Sequence, residues 1–224
     1  RYVSPAVVDQ LVKNPSSVGI SGDRQEATFI FTDIAGFTTT SEQLGAEQLS
    51  DVLNEYLDGA CEIILKYEGT IDKFIGDAIM AIFNAPIRQA DHAERAVRCA
   101  LELDTYAEAF RKERNARDIP IGVTRIGIHT GQAVIGNFGS QSRMDFTALG
   151  DTVNTAARTE GVNKYFGTRV CCTEDAAALC PNVKFRQIGD IVLKGKTTPT
   201  ALFSPIAETE DSALIEGYGA AYAL

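Results

Sequence analysis

Two short apolar runs, each meeting a carboxylate beside a glycine, constrain this chain more than any other feature. The first is Phe29-Ile-Phe-Thr-Asp33-Ile-Ala-Gly36-Phe-Thr38, and the second is Asp72-Lys73-Phe-Ile-Gly76-Asp77-Ala-Ile-Met-Ala-Ile-Phe83. Ile- and Phe-rich runs bounded by turn signals read as buried strands. A glycine at the strand end leaves the nearby backbone open. The two carboxylates, Asp33 and Asp77, therefore converge at strand ends. Carboxylate oxygens suit a hard cation, and Mg²⁺ gives up its waters reluctantly, so it tends to arrive with phosphate. The same spacing is also ordinary turn chemistry, since Gly and Asp are common turn residues.

The periodicity on either side predicts the rest of an α+β fold. Residues 26–33 read as the first strand. Leu49, Val52, Leu53, Tyr56, Leu57, Ala60, Ile64 and Tyr67 recur at three- and four-residue steps, which gives one apolar helix face. Residues 70–75 and 78–83 form a hairpin on Gly76-Asp77. A second helix starts near Asp91 and turns Ala93, Ala96, Val97, Ala100, Leu103, Ala107 and Phe110 inward. Strands at 123–130 and 132–138 follow, joined at Gly131. With these two counted as one hairpin the order is βαββαβ, a ferredoxin-like antiparallel sheet with helices on one face. C-terminal αβ elements extend it: a helix over 151–164, strands at 170–173, 184–188, 191–193 and 201–203, and a short helix at 174–179.

The expected domain plan is an N-terminal helix and linker over 1–23, one folded domain over 24–205 and an acidic tail over 206–224. In the first segment Ser4, Pro5 and Pro15 read as helix cap, start and stop. A chain of 224 residues with 45% hydrophobic content fills one core. A formal charge of −9 argues against a nucleic-acid surface. No apolar run reaches the ~18 residues of a spanning helix and no leader pattern opens the chain, so a cytoplasmic domain is expected. The chain begins at Arg1 rather than methionine, and a longer protein, with an upstream sensor or membrane segment, is the expectation. Five cysteines and two histidines without a Cys-x-x-Cys pair point to reduced, buried thiols rather than zinc or disulfides.

Five blocks in order carry a resemblance: Phe31-Thr-Asp33-Ile-Ala-Gly36-Phe-Thr38, Asp72-Lys73-Phe-Ile-Gly76-Asp77, Arg125-Ile-Gly-Ile-His129-Thr-Gly131, Asp145 through Thr147 and Asn154 to Arg158, and Leu193-Lys194-Gly-Lys196. Together they resemble the catalytic domain of class III nucleotidyl cyclases over roughly residues 24–205. The resemblance implies the class III cyclase fold and conversion of ATP to 3′,5′-cyclic AMP and pyrophosphate. It implies two Mg²⁺, with Mn²⁺ as a substitute, held by Asp33, Asp77 and the carbonyl of Ile34. Ala35, Gly36, Phe37 and Thr38 lie between a strand end and a helix start, where free amides and the helix dipole favour phosphate.

Asn154 and Arg158 are four apart and share a helix face. The resemblance makes them catalytic: Asn154 orients the ribose, and Arg158 stabilises charge on the α-phosphate. It assigns the β- and γ-phosphates to Arg125 and Lys194, with Lys196 as a near substitute. It assigns the base to Lys73 and Thr147. Lysine only donates hydrogen bonds, which suits N1 of adenine, and the Thr147 oxygen accepts from the 6-amino group. Threonine here is similar to the subgroup that includes soluble, bicarbonate-responsive adenylate cyclases, so bicarbonate is an implied regulator. The resemblance also implies a homodimer whose sites combine Asp33, Asp77 and Arg125 of one copy with Lys73, Thr147, Asn154, Arg158 and Lys194 of the other. A guanylate cyclase and a non-catalytic regulatory cyclase-homology domain are the alternatives, the first disfavoured by Lys73. His92 and His129 read as core residues rather than bases.

Overall fold

The strand that carries Asp33 is longer than its apolar run. The computed structural model describes residues 21–140 and 142–207. In it β1 (Ser21–Ile34) pairs antiparallel with β4 (Thr124–Ser140), from Ser21 opposite Asn137 to Ile34 opposite Thr124. Residues 21–23, expected as linker, are therefore strand. Gly22 fits there because a Cβ would stand 2.6 Å from the Phe138 ring. Residues 123–130 and 132–138 are likewise not a hairpin, since β4 runs straight through Gly131. That glycine has no positive φ. It provides room instead, as a Cβ would press on Thr152 at 3.1 Å.

β2 (Thr70–Ile75) and β3 (Ala78–Phe83) form the expected hairpin, with Gly76 left-handed at φ 66°. The sheet order is β2-β3-β1-β4-β6-β8-β7, and β5 (Arg143–Leu149) also pairs with β4. β6 (Val170–Thr173) runs parallel to β4, and β8 (Thr200–Pro205) joins it to β7 (Phe185–Ile191). In place of the strands expected at 184–188 and 191–193 there is one strand, β7, which ends at Ile191 and whose pairing with β8 slips between Gln187 and Gly189. Ile206, placed in the tail by sequence, is buried and donates its N–H to the Lys184 carbonyl at 2.9 Å. The helix expected within 1–15 and the tail beyond 207 lie outside the described residues.

Five helices complete the described chain: α1 (Phe37–Gln43), α2 (Ala46–Lys66), α3 (His92–Asn115), α4 (Asp151–Phe166) and α5 (Glu174–Ala177). Strand alternation sorts the core into two layers. Ile30, Ile79, Ala81, Ile126 and Ile128 face α2 and α3, meeting Ile64, Ala96, Val97 and Ala100. Ala27, Phe29, Met80 and Ile82 face the other way, where Ala156 of α4 packs. Helices on one face thus describes α2, α3 and α5, whose Ala176 joins that layer; α4 covers the opposite face. Gly127 explains its closeness to the sheet. A Cβ there would stand 2.1 Å from the backbone nitrogen of Glu160 and 2.6 Å from the Ala156 carbonyl, so α4 rests directly on the β4 backbone.

Gly127→Ala has no flexible neighbour to push aside, and overpacking of this kind costs about 1–3 kcal/mol. Urea unfolding of the variant should show at least that loss. Unchanged stability would mean that α4 is not seated on β4.

Candidate active site

Asp33 closes β1 opposite Arg125, and Asp77 follows Gly76 in the β2–β3 turn. The Ile34 N–H donates to Asp77 Oδ2 at 2.7 Å, which ties the turn of one hairpin to the end of the other strand. The two carboxylates therefore converge as expected. Burial lifts the Asp77 carboxyl above the usual carboxylate range; the Ile34 N–H opposes this, and the charge of Asp33 adds to it. Asp33 pairs with Arg125 Nη2, and Arg125 Nε lies 3.0 Å from Glu160 Oε1. Burial, then the charge of Asp33, pushes the Glu160 carboxyl up to about 7 against the pull of Arg125.

Three carboxylates thus crowd one guanidinium. This oxygen-rich, underneutralised corner fits a divalent cation. Among the described residues no group of three or more His, Cys, Asp or Glu side chains is placed to hold a metal. Two carboxylates and a backbone carbonyl suit Mg²⁺, which keeps waters and takes substrate phosphate for the remaining positions.

Gly36 caps α1 in the left-handed region at φ 73°, and nothing lies within 4 Å of where its Cβ would be. The loop is open at that point. The Ala35 amide donates to the Val123 carbonyl at 2.9 Å, so it is already committed. Gly36, Phe37 and Thr38 supply the remaining amides at a helix start, which has no internal partners for them.

Lys73 and Thr147 meet as the sequence suggested: Lys73 Nζ donates to Thr147 Oγ1 at 3.1 Å. A third residue joins them that sequence reasoning missed. Thr147 Oγ1 donates to Asp72 Oδ2 at 2.5 Å, and Lys73 Nζ lies 3.4 Å from Asp72 Oδ1. Regular alternation would send Asp72 and Lys73 to opposite faces. The β2–β3 register slips here, with Ile71 opposite Ala81 and Lys73 opposite Met80, and this bulge turns both residues toward Thr147. No sequence signal marks the bulge.

On α4, Asn154 is exposed and Arg158 Nη1 lies 3.6 Å from Asp151 Oδ1. Arg158 Nη1 is buried with no hydrogen-bond partner. Asp151 also pairs with Lys196, which follows the left-handed Gly195. The Lys196 hydrogen bond, then the charges of Lys196 and Arg158, hold the Asp151 carboxyl below its usual range. Lys196, rather than Lys194, is the lysine beside Arg158; Lys194 is exposed on the same turn. At 3.6 residues per turn, Glu160 points about 200° away from Arg158. Glu160 reaches the Asp33–Arg125 corner, so Asn154 and Arg158 face away from it. One chain does not bring the two groups together. An inward Glu on an apolar helix face was a signal the sequence did offer.

The histidines are structural. His129 Nδ1 contacts Thr173 Oγ1 at 2.7 Å and burial pushes its pKa down to about 4. His92 Nδ1 contacts Thr28 Oγ1 at 2.7 Å. All five cysteines are free thiols, four of them buried.

The family described as adenylate and guanylate cyclase catalytic domain matches residues 21–204. The chain belongs to this family. Adenylate cyclase 1 of Rhizobium meliloti (strain 1021) is 41% identical over 206 residues, covering 92% of this chain and 31% of that relative. The chain therefore spans about a third of that protein's length. Two solved structures are similar: the adenylyl cyclase CyaB from P. aeruginosa, at 35% identity and TM-score 0.78, covering 86% of this chain and 99% of that one, and the guanylyl cyclase Cya2, at 30% and 0.77, covering 86% and 98%. Likeness alone spans both bases, so the base has to be read from the site.

In this cyclase domain Glu160 gives a pH signature. Its folded pKa of about 7 lies above the ordinary 4.5, so the stability its proton contributes is full below 4.5 and is lost as pH rises through 7. Relative to Glu160→Gln, which does not ionise, the wild-type protein should lose stability between pH about 5 and 8, and less so with a divalent cation neutralising Asp33. Urea midpoints across pH test this. A difference that does not change with pH would show that Glu160 does not titrate there.

Proposed function

We propose that this domain is an adenylate cyclase catalytic domain that converts ATP to 3′,5′-cyclic AMP and pyrophosphate in sites shared between two copies. The observation that carries the choice of base is the Lys73–Thr147 pair. Adenine presents an acceptor at N1 and a donor at its 6-amino group, and guanine reverses both. An ammonium donor beside an accepting oxygen complements adenine.

Asp33, Asp77 and the Ile34 carbonyl would hold two Mg²⁺ or Mn²⁺, which supply charge neutralisation at the phosphates and a lowered pKa for the ribose 3′-hydroxyl. The amides of Gly36, Phe37 and Thr38 receive phosphate oxygens. Arg125 exchanges Asp33 for the terminal phosphates while Glu160 retains its Nε side. Asn154 orients the ribose. Arg158, whose buried Nη1 is without a hydrogen-bond partner, meets the α-phosphate as negative charge builds there. Lys194 contributes to the terminal phosphates, with Lys196 beside it. Catalysis is positioning plus electrostatics, with the 3′-oxygen in line with the leaving pyrophosphate.

The half-turn between Glu160 and Arg158 supports the shared site. Asn154 and Arg158 face away from the Asp33–Asp77 corner of their own chain, so a second copy supplies them. Phe74 and Ile75 on β2, Leu149 on β5 and Tyr165 on α4 are exposed apolar residues close in sequence to Lys73, Thr147 and Arg158. Such residues favour an interface between copies. A two-fold contact generates the composite site twice. An upstream sensor acting through this contact, and control by bicarbonate, belong to the same reading; activity that does not respond to bicarbonate at fixed pH removes the latter. No described helix is long and apolar enough to cross a membrane.

Cyclic nucleotide formation from ATP and from GTP, with Mg²⁺ and with Mn²⁺, tests the reaction; ATP should be preferred, and a GTP preference overturns the assignment. Asp33→Ala and Asn154→Ala should each be nearly inactive. An equal mixture should recover about a quarter of wild-type activity, because half of randomly paired dimers are mixed and each has one intact site. Mixed dimers that remain inactive would exclude sharing.

A further inference from the structure

Burial lifts the Asp72 carboxyl above the usual carboxylate range, and the Thr147 hydroxyl, Lys73 and the Ala148 N–H oppose this and favour its charged form. Its side chain is only 1% exposed, a costly place for a charge. Oδ1 is buried without a hydrogen-bond partner, and Lys73 Nζ stands 3.4 Å from it. Oδ2 takes the Thr147 hydroxyl at 2.5 Å. The residue sits at the bulge in β2, which is what turns it toward Thr147 rather than to the opposite face. An uncharged residue would fill the same bulge without burying a charge.

The chemistry of Thr147 supplies a purpose. A hydroxyl has one hydrogen and two lone pairs, so alone it accepts from an amine or donates to a carbonyl by rotating. A free threonine therefore discriminates poorly between the 6-amino group of adenine and the 6-oxo group of guanine. An ionised carboxylate only accepts. Bonded to Asp72, Thr147 has its single hydrogen committed. Lys73 donates to one of its lone pairs at 3.1 Å, and the other is left for the base. What faces the nucleotide is then an obligate acceptor, which pairs with adenine and sets lone pair against lone pair with guanine.

We propose that Asp72 is a specificity-determining positioning residue, which fixes the Thr147 hydroxyl as an acceptor and thereby turns an ambivalent threonine into a reader of the adenine amino group. The inference rests on the proposed placement of the base at Lys73 and Thr147. Asp72 does not touch the nucleotide itself and acts through Thr147.

Asp72→Asn is nearly isosteric, and its amide can donate to Thr147 Oγ1, freeing the hydroxyl hydrogen to turn toward a guanine O6. The measurements are kcat and KM for ATP and GTP, together with calorimetric binding of 3′-deoxy-ATP and 3′-deoxy-GTP, which cannot cyclise. Wild-type preference for ATP tests the function reading by itself, and the change on substitution tests the role of Asp72. The preference should fall about ten-fold or more. The fall should appear in KM and in the binding of the two analogues, with kcat for ATP far less affected. In a Thr147→Val background, Asp72→Asn should shift the preference no further. Equal loss toward both nucleotides, an unchanged preference, or the same shift in the Thr147→Val background would overturn the proposal. Asp72→Ser serves as the second variant if the first fails to fold, and loss of fold in both would assign the carboxylate a structural role and overturn it as well.

Discussion

The contact between the β4 backbone at Gly127 and the α4 backbone at Ala156 and Glu160 sets the angular position of the helix. Everything functional about α4 follows from that rotation. With Ala156 and Glu160 turned to the sheet, the helical repeat leaves Asn154 and Arg158 on the far side. A side chain at position 127 would lift the helix and free it to turn, and the division between inward carboxylate and outward guanidinium would blur. Close approach of two backbones, rather than any particular side-chain bond, thus decides which residues serve the chain's own carboxylates and which face elsewhere.

Charge balance is the second constraint. Asp33, Asp77 and Glu160 gather near one another, and Arg125 is the guanidinium that the structure places among them. Two of these carboxyls, Asp77 and Glu160, are lifted by burial and by the charge of Asp33. Arg125, drawn onto Asp33, offsets part of that crowding. In the proposed function, positive charge supplied to Asp33 would relax the cluster and free the guanidinium. In the proposed reaction the same network prepares the corner for a polyphosphate, since the Arg125 guanidinium is shared between Asp33 and Glu160 rather than locked.

Much of this was legible in the sequence, and the failures have physical causes. The hairpin at Gly76-Asp77 and the faces of α2 and α3 followed from alternation, period and turn residues, whereas the meeting of Lys73 with Thr147 followed from the resemblance to the cyclase family. The long β4 did not, because Gly131 looks the same whether a glycine is needed for a turn or, as here, for room beside Thr152. Asp72 was missed because a β-bulge breaks the period of two without altering composition. Lys194 and Lys196 flank Gly195 at positions that only backbone geometry separates, and the left-handed glycine brings Lys196 to Asp151. Glu160 was the one omission that helical period alone exposed.

The proposed base-reading corner and the proposed cation corner solve opposite problems with the same means. Around Asp33 an excess of carboxylate would take external positive charge. Around Asp72, on the proposed reading, one buried carboxylate orients a neutral hydroxyl, with Lys73 partly exposed beside it at 44%. A hydroxyl held by a charge-assisted bond in a dry site is a better discriminator than a mobile one, because reversing it takes a hydrogen-bond donor from a buried carboxylate. Selectivity of that kind depends on the bulge as much as on the residues: the same three side chains on a regular strand would put Asp72 on the face opposite Thr147, and the threonine would be free to accept either base.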